Sequence, residues 1–233
     1  ELPLPLVDVL REFGARDWLA DIDLSVSRAP ATIGPDGSPV PGKVIPKGRL
    51  ALADGTVRYE GFAYRLDHVA GTIEFDGSSA TIRELAGQGS GDAVMRITGT
   101  VQVEEANPAF SVRIVGSDVP IDERLVQGMD PVTQEILDQL LDRRAFDSLR
   151  AANLSDDTWA PGGLVGFDLT VHQTAEAGAP TVVEGTIDVH QANVVLDSFP
   201  YPMRVKGSVI LRDESVTLTG NGFTASTPSG SSG

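Results

Sequence analysis

Three histidines, His68, His172 and His190, are the residues of this sequence best suited to metal binding or proton transfer. Zinc sites usually place their histidines in short, regular spacings such as His-x-x-x-His. None of the three has such a spacing, and the chain contains no cysteine that could complete a site. His190 is also out of phase with the apolar residue Val189, which predicts a solvated side chain. We expect no metal site and no cofactor.

The run GQGSG, from Gly87 to Gly91, is similar in composition to a phosphate-binding loop. Such a loop needs a following Lys-Ser or Lys-Thr and the start of a helix, because backbone N–H groups and the lysine hold the phosphates. Neither feature is present. The run is not a Gly-x-Ser-x-Gly nucleophile elbow either, because Gln88 and Asp92 stand where that motif needs glycine. A wide hairpin turn is the better interpretation.

Acidic residues outnumber basic ones by 33 to 18, for a formal net charge of −15. Nucleic acids and anionic bilayers bind surfaces rich in lysine and arginine, so we expect neither as a partner. A glycosidase needs two carboxyl groups about 5 to 9.5 Å apart, and no sequence feature selects such a pair. The adjacent acids Glu104-Glu105 and Asp156-Asp157 are typical of solvated loops. We therefore predict that the chain is not an enzyme.

Apolar and polar residues alternate over most of the 233 residues, which is the period of strands with one dry face and one wet face. This pattern predicts a mainly β protein of antiparallel strands joined by hairpins. Turn signals occur at Asp54-Gly55, Asp76-Gly77 and Asp213-Glu214. The segment 29–48 is rich in proline and glycine and predicts a loop.

Helical spacing of apolar residues occurs in two places only. It predicts a short helix over residues 3–13 and a longer amphipathic helix over 131–150. Asp130 can cap the second helix, and Pro131 occupies the first-turn position where its missing N–H costs nothing. Each helix precedes a group of strands.

The sequence contains an internal repeat. Residues 48–82 align with residues 185–218 with a single one-residue gap, and 22–26 align with 167–171. The identical pairs are Gly48/Gly185, Val57/Val194, Phe62/Phe199, Tyr64/Tyr201, Val69/Val205, Gly71/Gly207, Ser79/Ser215 and Thr81/Thr217. We predict a first repeat at 1–130, with its strands ending at about 116, a truncated second repeat at 131–226, and a flexible tail at 227–233.

The repeated pattern resembles the bacterial AsmA-like superfamily, which includes the TamB-like envelope proteins. It consists of an aromatic-x-Tyr, a valine shortly before Gly-x-Ile or Gly-x-Val, an acidic turn and another strand. Phe62-Ala63-Tyr64 and 69–75 carry it once, and Phe199-Pro200-Tyr201 and 205–209 carry it again. The resemblance covers nearly the whole chain, but it consists of strand patterns and includes no catalytic signature.

The resemblance implies an open, twisted antiparallel β-groove built of two related units, each led by a short helix. It also implies a periplasmic protein, tethered to the inner membrane by a segment absent from this chain, that carries phospholipid or a similar lipid between the two membranes. Neighbouring β-repeats of a longer chain and envelope membrane proteins are the implied partners. The residues predicted to line the groove are Leu50, Leu52, Ile73, Phe75, Ile82, Met95, Ile97, Val101, Phe167, Leu169, Ile187, Val189, Val209, Leu211 and Leu218.

An apolar groove is physically sufficient for this task, because exposing a 16-carbon acyl chain to water costs about 12 kcal/mol. The same residues could instead fill the closed core of a sandwich or barrel. The alternative function is then a structural or adhesive β-repeat of a secreted or surface protein without lipid. The pairs Phe62/Tyr64 and Phe199/Tyr201 likewise fit either the rim of a lipid groove or the anchor of a loop.

Overall fold

A computed structural model describes residues 19–59, 62–91, 93–102, 109–128, 131, 134–135, 162–196, 199–212 and 215–226 of the chain. The predicted helix 3–13 and the predicted tail 227–233 lie outside these residues. Of the predicted helix 131–150, only Pro131, Gln134 and Glu135 are described, and all three have helical backbone.

Besides the three helical residues just named, the described part of the chain contains twelve strands and one short helix. In chain order these are β1 (Leu19–Arg28), β2 (Thr32–Ile33), β3 (Pro39–Val40), β4 (Val44–Tyr59), β5 (Phe62–Asp76), β6 (Ser79–Gln88), β7 (Val94–Gln102), β8 (Ala109–Pro120), α1 (Glu123–Gly128), β9 (Gly163–Gln173), β10 (Val182–Leu196), β11 (Phe199–Arg212) and β12 (Ser215–Ser226). The mainly β, antiparallel fold class predicted from the period of two is confirmed.

Ten of the strands form one antiparallel sheet in the order β1-β4-β5-β6-β7-β8-β9-β10-β11-β12. The remaining two, β2 and β3, form a small hairpin between β1 and β4. Successive strands of the large sheet are therefore neighbours, and β9 pairs with β8 although α1 and a long stretch of chain separate them. Among the described residues, β1 and β12 each pair on one side only, so the sheet is open at both edges.

Of the predicted turns, Asp76-Gly77 is a hairpin turn in the structure and Asp54-Gly55 is not. Gly77 turns the chain between β5 and β6 with φ of 63°, as predicted. Asp54-Gly55 is not a hairpin turn: it lies inside β4, where the register against β5 jumps from Leu52 to Gly55. The backbone forms a β-bulge there, with Asp54 at φ 53°, because one extra residue has to fit opposite β5.

The other two predictions of this kind are the turn at 213–214 and the loop at 29–48. The turn 213–214 lies outside the described residues, and Arg212 and Ser215 on either side of it are paired. The predicted loop 29–48 is wrong in part, because β4 already begins at Val44 and the β2–β3 hairpin lies within the segment. Pro46 is accommodated in β4 opposite Val26 of the edge strand β1.

The helix α1 was not predicted from the sequence. Its N-terminus is capped by Asp122, whose Oδ1 accepts the backbone N–H of Leu125 at 2.9 Å. Leu125 and Val126 are buried, and the helix packs against β5. The helix ends at Gly128, where a Cβ would lie 2.9 Å from the backbone nitrogen of Tyr64. A side chain larger than hydrogen would therefore push α1 away from the sheet.

The outer face of the sheet carries ion pairs between neighbouring strands. Lys47 Nζ lies 2.8 Å from Asp76 Oδ2, and Arg83 likewise pairs with Glu74 and Arg96 with Glu84. Each pair is largely exposed, so water screens the charges and the contribution to stability is small. Asp76, Glu74 and Glu84 therefore lie on the wet face of the sheet.

Candidate functional site

The candidate site predicted from the sequence is the apolar inner face of the sheet. Its residues form rows across the strands, because residues directly opposite each other in a ladder share a face. One row joins Leu50 on β4 to Ile73 on β5 and Ile82 on β6. A second row runs from Leu85 through Ile97, Ile114 and Leu169 to Gly185 and Leu211. A third joins Met95, Gly116, Phe167, Ile187, Val209 and Leu218. The apolar face thus continues from β4 through β11.

The burial of the predicted lining residues divides into two groups. Nine are buried, with less than a tenth of their surface exposed: Leu50, Leu52, Ile73, Phe75, Ile82, Met95, Ile97, Val101 and Phe167. Five are only half-buried: Leu169, Ile187, Val189, Val209 and Leu211. The position of Leu218 in β12 is described, but its side chain lies outside the described part of the structure. The face is closely packed from β4 to β7 and more accessible from β9 to β11.

Several inner-face residues were missed by the period-of-two analysis. Leu66 and Leu85 are 4% and 5% exposed, although they have the opposite parity to Ile73 and Ile82 on the same strands. The register of β5 against β6 shifts between Asp67 and Ala70, and that of β6 against β7 shifts between Ile82 and Leu85. A bulge inserts an unpaired residue and so exchanges the two faces beyond it. The sequence shows that Leu66 and Leu85 are apolar, which was the available signal. It does not show that they lie on the inner face, because this depends on the register of each strand against its neighbour.

Tyr64 anchors a loop. Its side chain is 2% exposed, and its hydroxyl accepts the backbone N–H of Ser90 at 2.8 Å. The N–H of Gly89 also donates to the carbonyl of Ala93, which closes the connection between β6 and β7. The interpretation of the run 87–91 as a wide hairpin turn is confirmed for Gly89, Ser90 and Gly91, whereas Gly87 and Gln88 belong to β6 and pair with β7. The side chains of Phe62, Phe199 and Tyr201 lie outside the described part of the structure.

Two of the histidines bridge β-bulges on the outer face. The Nδ1 of His68 lies 2.6 Å from Asp54 Oδ1, and both residues have positive φ. The Nδ1 of His190 lies 3.3 Å from Oδ1 of Asp118, which also has positive φ. These contacts join strands where the ladder is interrupted. Within the described ranges, no cluster of His, Asp and Glu is arranged to hold a metal ion.

A polar cleft lies where α1 meets β4 and β5, next to the β6–β7 turn. Its volume is about 420 Å³, and it is lined by Arg58, Arg65, Ser90, Asp122, Glu123, Arg124 and Gln127. Arg58 and Arg65 are directly opposite each other in the β4–β5 ladder. The sequence analysis did not find this group, because residues from four separate segments form it. The only signal was the presence of two arginines near the β4–β5 hairpin.

None of the helical residues that the structure describes belongs to a helix long and apolar enough to cross a bilayer. Comparison of the chain with protein-family models, with curated proteins and with solved structures finds no match in any of the three. The function is therefore inferred from the geometry of the chain itself, above all that of the inner face.

Proposed function

We propose that this chain is a non-catalytic, lipid-binding segment of an AsmA-like bacterial envelope protein. In this proposal it lies in the periplasm, tethered to the inner membrane by a part of the protein outside this chain, and its apolar β-groove passes phospholipid or a similar lipid between the membranes. The observation that supports the proposal is an apolar face that continues from β4 to β11 on one open sheet of ten strands. Among the described elements, the helix α1 packs against this sheet at β5.

The strand registers support the part of the proposal that concerns two related units. Ile22 pairs with Leu50, and at the aligned positions Phe167 pairs with Ile187. The bulge after Leu52 corresponds to the bulge after Val189. Further aligned pairs in register include Leu24–Gly48 with Leu169–Gly185, Leu50–Ile73 with Ile187–Val209, Leu52–Gly71 with Val189–Gly207, and Ile73–Ile82 with Val209–Leu218. Units of this kind add the same apolar face side by side.

The half-buried part of the face, from β9 to β11, is the part best suited to lipid. Val183 is 41% exposed, and Leu169, Ile187 and Val189 are only partly covered. Covering such a surface with an acyl chain is favourable by about 25 cal/mol per Å² of apolar area removed from water. No buried polar or charged side chain interrupts the described core, so an acyl chain would meet apolar groups there.

The alternative function, a structural or adhesive β-repeat with a closed core, is favoured by a different observation. From β4 to β7 the inner face is as well covered as an ordinary core: Leu50 is 2% and Met95 1% exposed. If the face from β9 to β11 is covered to the same extent in the whole protein, no room remains for lipid. The two functions therefore differ in the accessibility of the second unit.

The test compares two adjacent residues of β10 that point to opposite faces. Ile187→Lys places a charge on the inner face, whereas the matched control Thr186→Lys places it on the outer face near Asp168. Lipids that co-purify with the folded protein are measured by mass spectrometry, and uptake of a fluorescent phospholipid is measured in solution. We expect Ile187→Lys to lose lipid and Thr186→Lys to retain it, and we expect the same loss for Val189→Lys. If the unaltered protein neither co-purifies with nor takes up lipid, the closed-core function is correct.

A further inference from the structure

We propose that a strip of the inner face along β10 and β11 receives one acyl chain, and that Val189, Val209 and Leu211 set the width of this strip. The inference rests on the proposed lipid function and assigns its size-determining residues. The β10–β11 strip consists of three successive inner-face pairs, which are Gly185 with Leu211, Ile187 with Val209, and Val189 with Gly207.

The first observation is that one side chain in each pair of the strip is smaller than its aligned counterpart in the first unit. The aligned pairs of the first unit are Gly48 with Phe75, Leu50 with Ile73, and Leu52 with Gly71. In the second unit leucine replaces phenylalanine in the first pair, valine replaces isoleucine in the second, and valine replaces leucine in the third. The one remaining difference, Leu50 against Ile187, leaves the number of carbons unchanged.

The second observation is the difference in exposure between the two units. Ile73 is 4% and Phe75 is 7% exposed in the first unit. Val209 and Leu211, which occupy the aligned places in the second unit, are only half-buried. The smaller side chains of β10 and β11 therefore coincide with the part of the inner face that the protein covers least.

The third observation concerns the glycine of the first pair. In the first unit the ring of Phe75 lies over Gly48, since a Cβ at Gly48 would stand 2.9 Å from Cζ of the ring. A leucine at the aligned place has no ring that could extend over the glycine. The three atoms nearest to a Cβ at Gly185 all belong to the backbone of β9, at Asp168 and Leu169. No side chain therefore approaches Gly185 as closely as the Phe75 ring approaches Gly48.

The β10–β11 strip has the proportions of an extended acyl chain. Inner-face residues two positions apart on a strand are separated by about 6.6 Å, so three successive pairs extend about 13 Å along the strands. Neighbouring strands are only about 4.8 Å apart, so the strip is long and narrow. On the β9 side it is flanked by Leu169 and Phe167, which pair with Gly185 and Ile187. These flanks are apolar, as contact with an acyl chain requires.

The test restores the first-unit residue types in the strip by the triple substitution Val189→Leu, Val209→Ile and Leu211→Phe. All three changes are neutral and apolar, so they alter the width of the strip and not its charge. Uptake of a phosphatidylcholine with a fluorescent headgroup is measured in solution. We expect it to become about tenfold weaker, because the added carbons occupy the place of the acyl chain. The matched control is Ile187→Leu, which restores the residue type of Leu50 without changing the number of carbons, and we expect uptake to be unchanged.

Urea unfolding without added lipid measures whether the strip is open in the protein itself. Larger apolar side chains in an open strip have free space, so the triple variant should keep or raise the urea midpoint of unfolding. In a filled core the same side chains would overpack and lower the midpoint. A lowered midpoint overturns the inference, whatever the lipid measurement gives.

The lipid measurement separates this inference from the proposed function. If the unaltered protein and the triple variant take up the phospholipid equally well, the inference is wrong and the lipid function remains. The inference is also wrong if Ile187→Leu weakens uptake as much as the triple substitution, because side-chain size is then not the cause. If the unaltered protein takes up no lipid, the proposed function fails and the inference fails with it.

Discussion

Gly185 lies so close to Asp168 of the neighbouring strand that a Cβ at position 185 would stand 2.1 Å from the carbonyl oxygen of Asp168. The aligned pair has the same relationship, since a Cβ at Gly48 would stand 2.1 Å from the carbonyl oxygen of Asp23. At both places the strands approach more closely than a side chain allows. The same steric restriction therefore requires glycine at both positions, and these two glycines open the two repeated segments.

The first prediction concerns the close approach at Gly185. We expect Gly185→Ala to lower the free energy of unfolding by about 3 kcal/mol, because the added Cβ overlaps a backbone atom that cannot rotate away. The φ of 142° adds strain. The control is Gly178→Ala, also at positive φ but with open space around it, for which we expect about 1 kcal/mol. Urea unfolding measures both. Equal losses would show that backbone conformation alone requires glycine at 185.

The second prediction compares two residues that are directly opposite each other, Leu50 and Ile22. Leu50 is 2% exposed and Ile22 is 48% exposed on the edge strand β1. We expect Leu50→Ala to cost about 3 kcal/mol of unfolding free energy, because it leaves a cavity in a packed region. We expect Ile22→Ala to cost less than about 1 kcal/mol, since water already reaches that side chain. A large loss at Ile22 would mean that the β1 face is covered in solution.

The third prediction concerns the anchor between Tyr64 and Ser90. Tyr64→Phe removes the oxygen that accepts the Ser90 N–H and leaves this partly buried donor without that acceptor. We expect a loss of about 1 to 2 kcal/mol in unfolding free energy. Hydrogen exchange at the Ser90 amide should become faster, whereas exchange in the β10–β11 ladder should not change. Unaltered exchange at Ser90 would contradict the role of Tyr64 as the anchor of the 89–91 turn.

The fourth prediction is a pH dependence. The guanidinium of Arg113 hydrogen-bonds to both carboxylate oxygens of Asp168, and this holds the pKa of Asp168 below its ordinary value of 3.8. A lowered pKa in the folded state stabilises the protein above the ordinary value, and that contribution is lost as pH falls through the lowered pKa. Because Asp168 is about half exposed and water screens the pair, we expect about 0.5 kcal/mol.

Urea unfolding from neutral pH to below the ordinary pKa of aspartate checks this dependence. Asp168→Asn should lose stability near neutral pH and show a shallower decline in acid than the unaltered chain. High salt should reduce the difference, because exposed charges are screened. If Asp168→Asn declines as steeply in acid as the unaltered protein, other carboxylates carry the acid sensitivity.

Much of the fold followed from the sequence, because a period of two is a local property of each strand. The alternation placed Leu50, Ile73, Met95 and Phe167 on the dry side before any pairing was known, and all four are buried. Asp76-Gly77 was also readable as a turn, since glycine there takes a positive φ. These features depend only on residues adjacent in the chain.

The tertiary structure determined the strand registers, the bulges and the contacts of α1, because each of these depends on residues that are distant in the chain. Asp54-Gly55 has the composition of a hairpin turn, but the longer ladder between β4 and β5 makes it a bulge. The bulges also move Leu66 and Leu85 to the inner face against their expected parity. Arg65 and Arg124 meet at one cleft only because α1 returns to pack against β5. The alternation determined which residues share a face within each uninterrupted stretch of strand, and the strand pairing determined where the two faces exchange, which of them are covered and which charges come together.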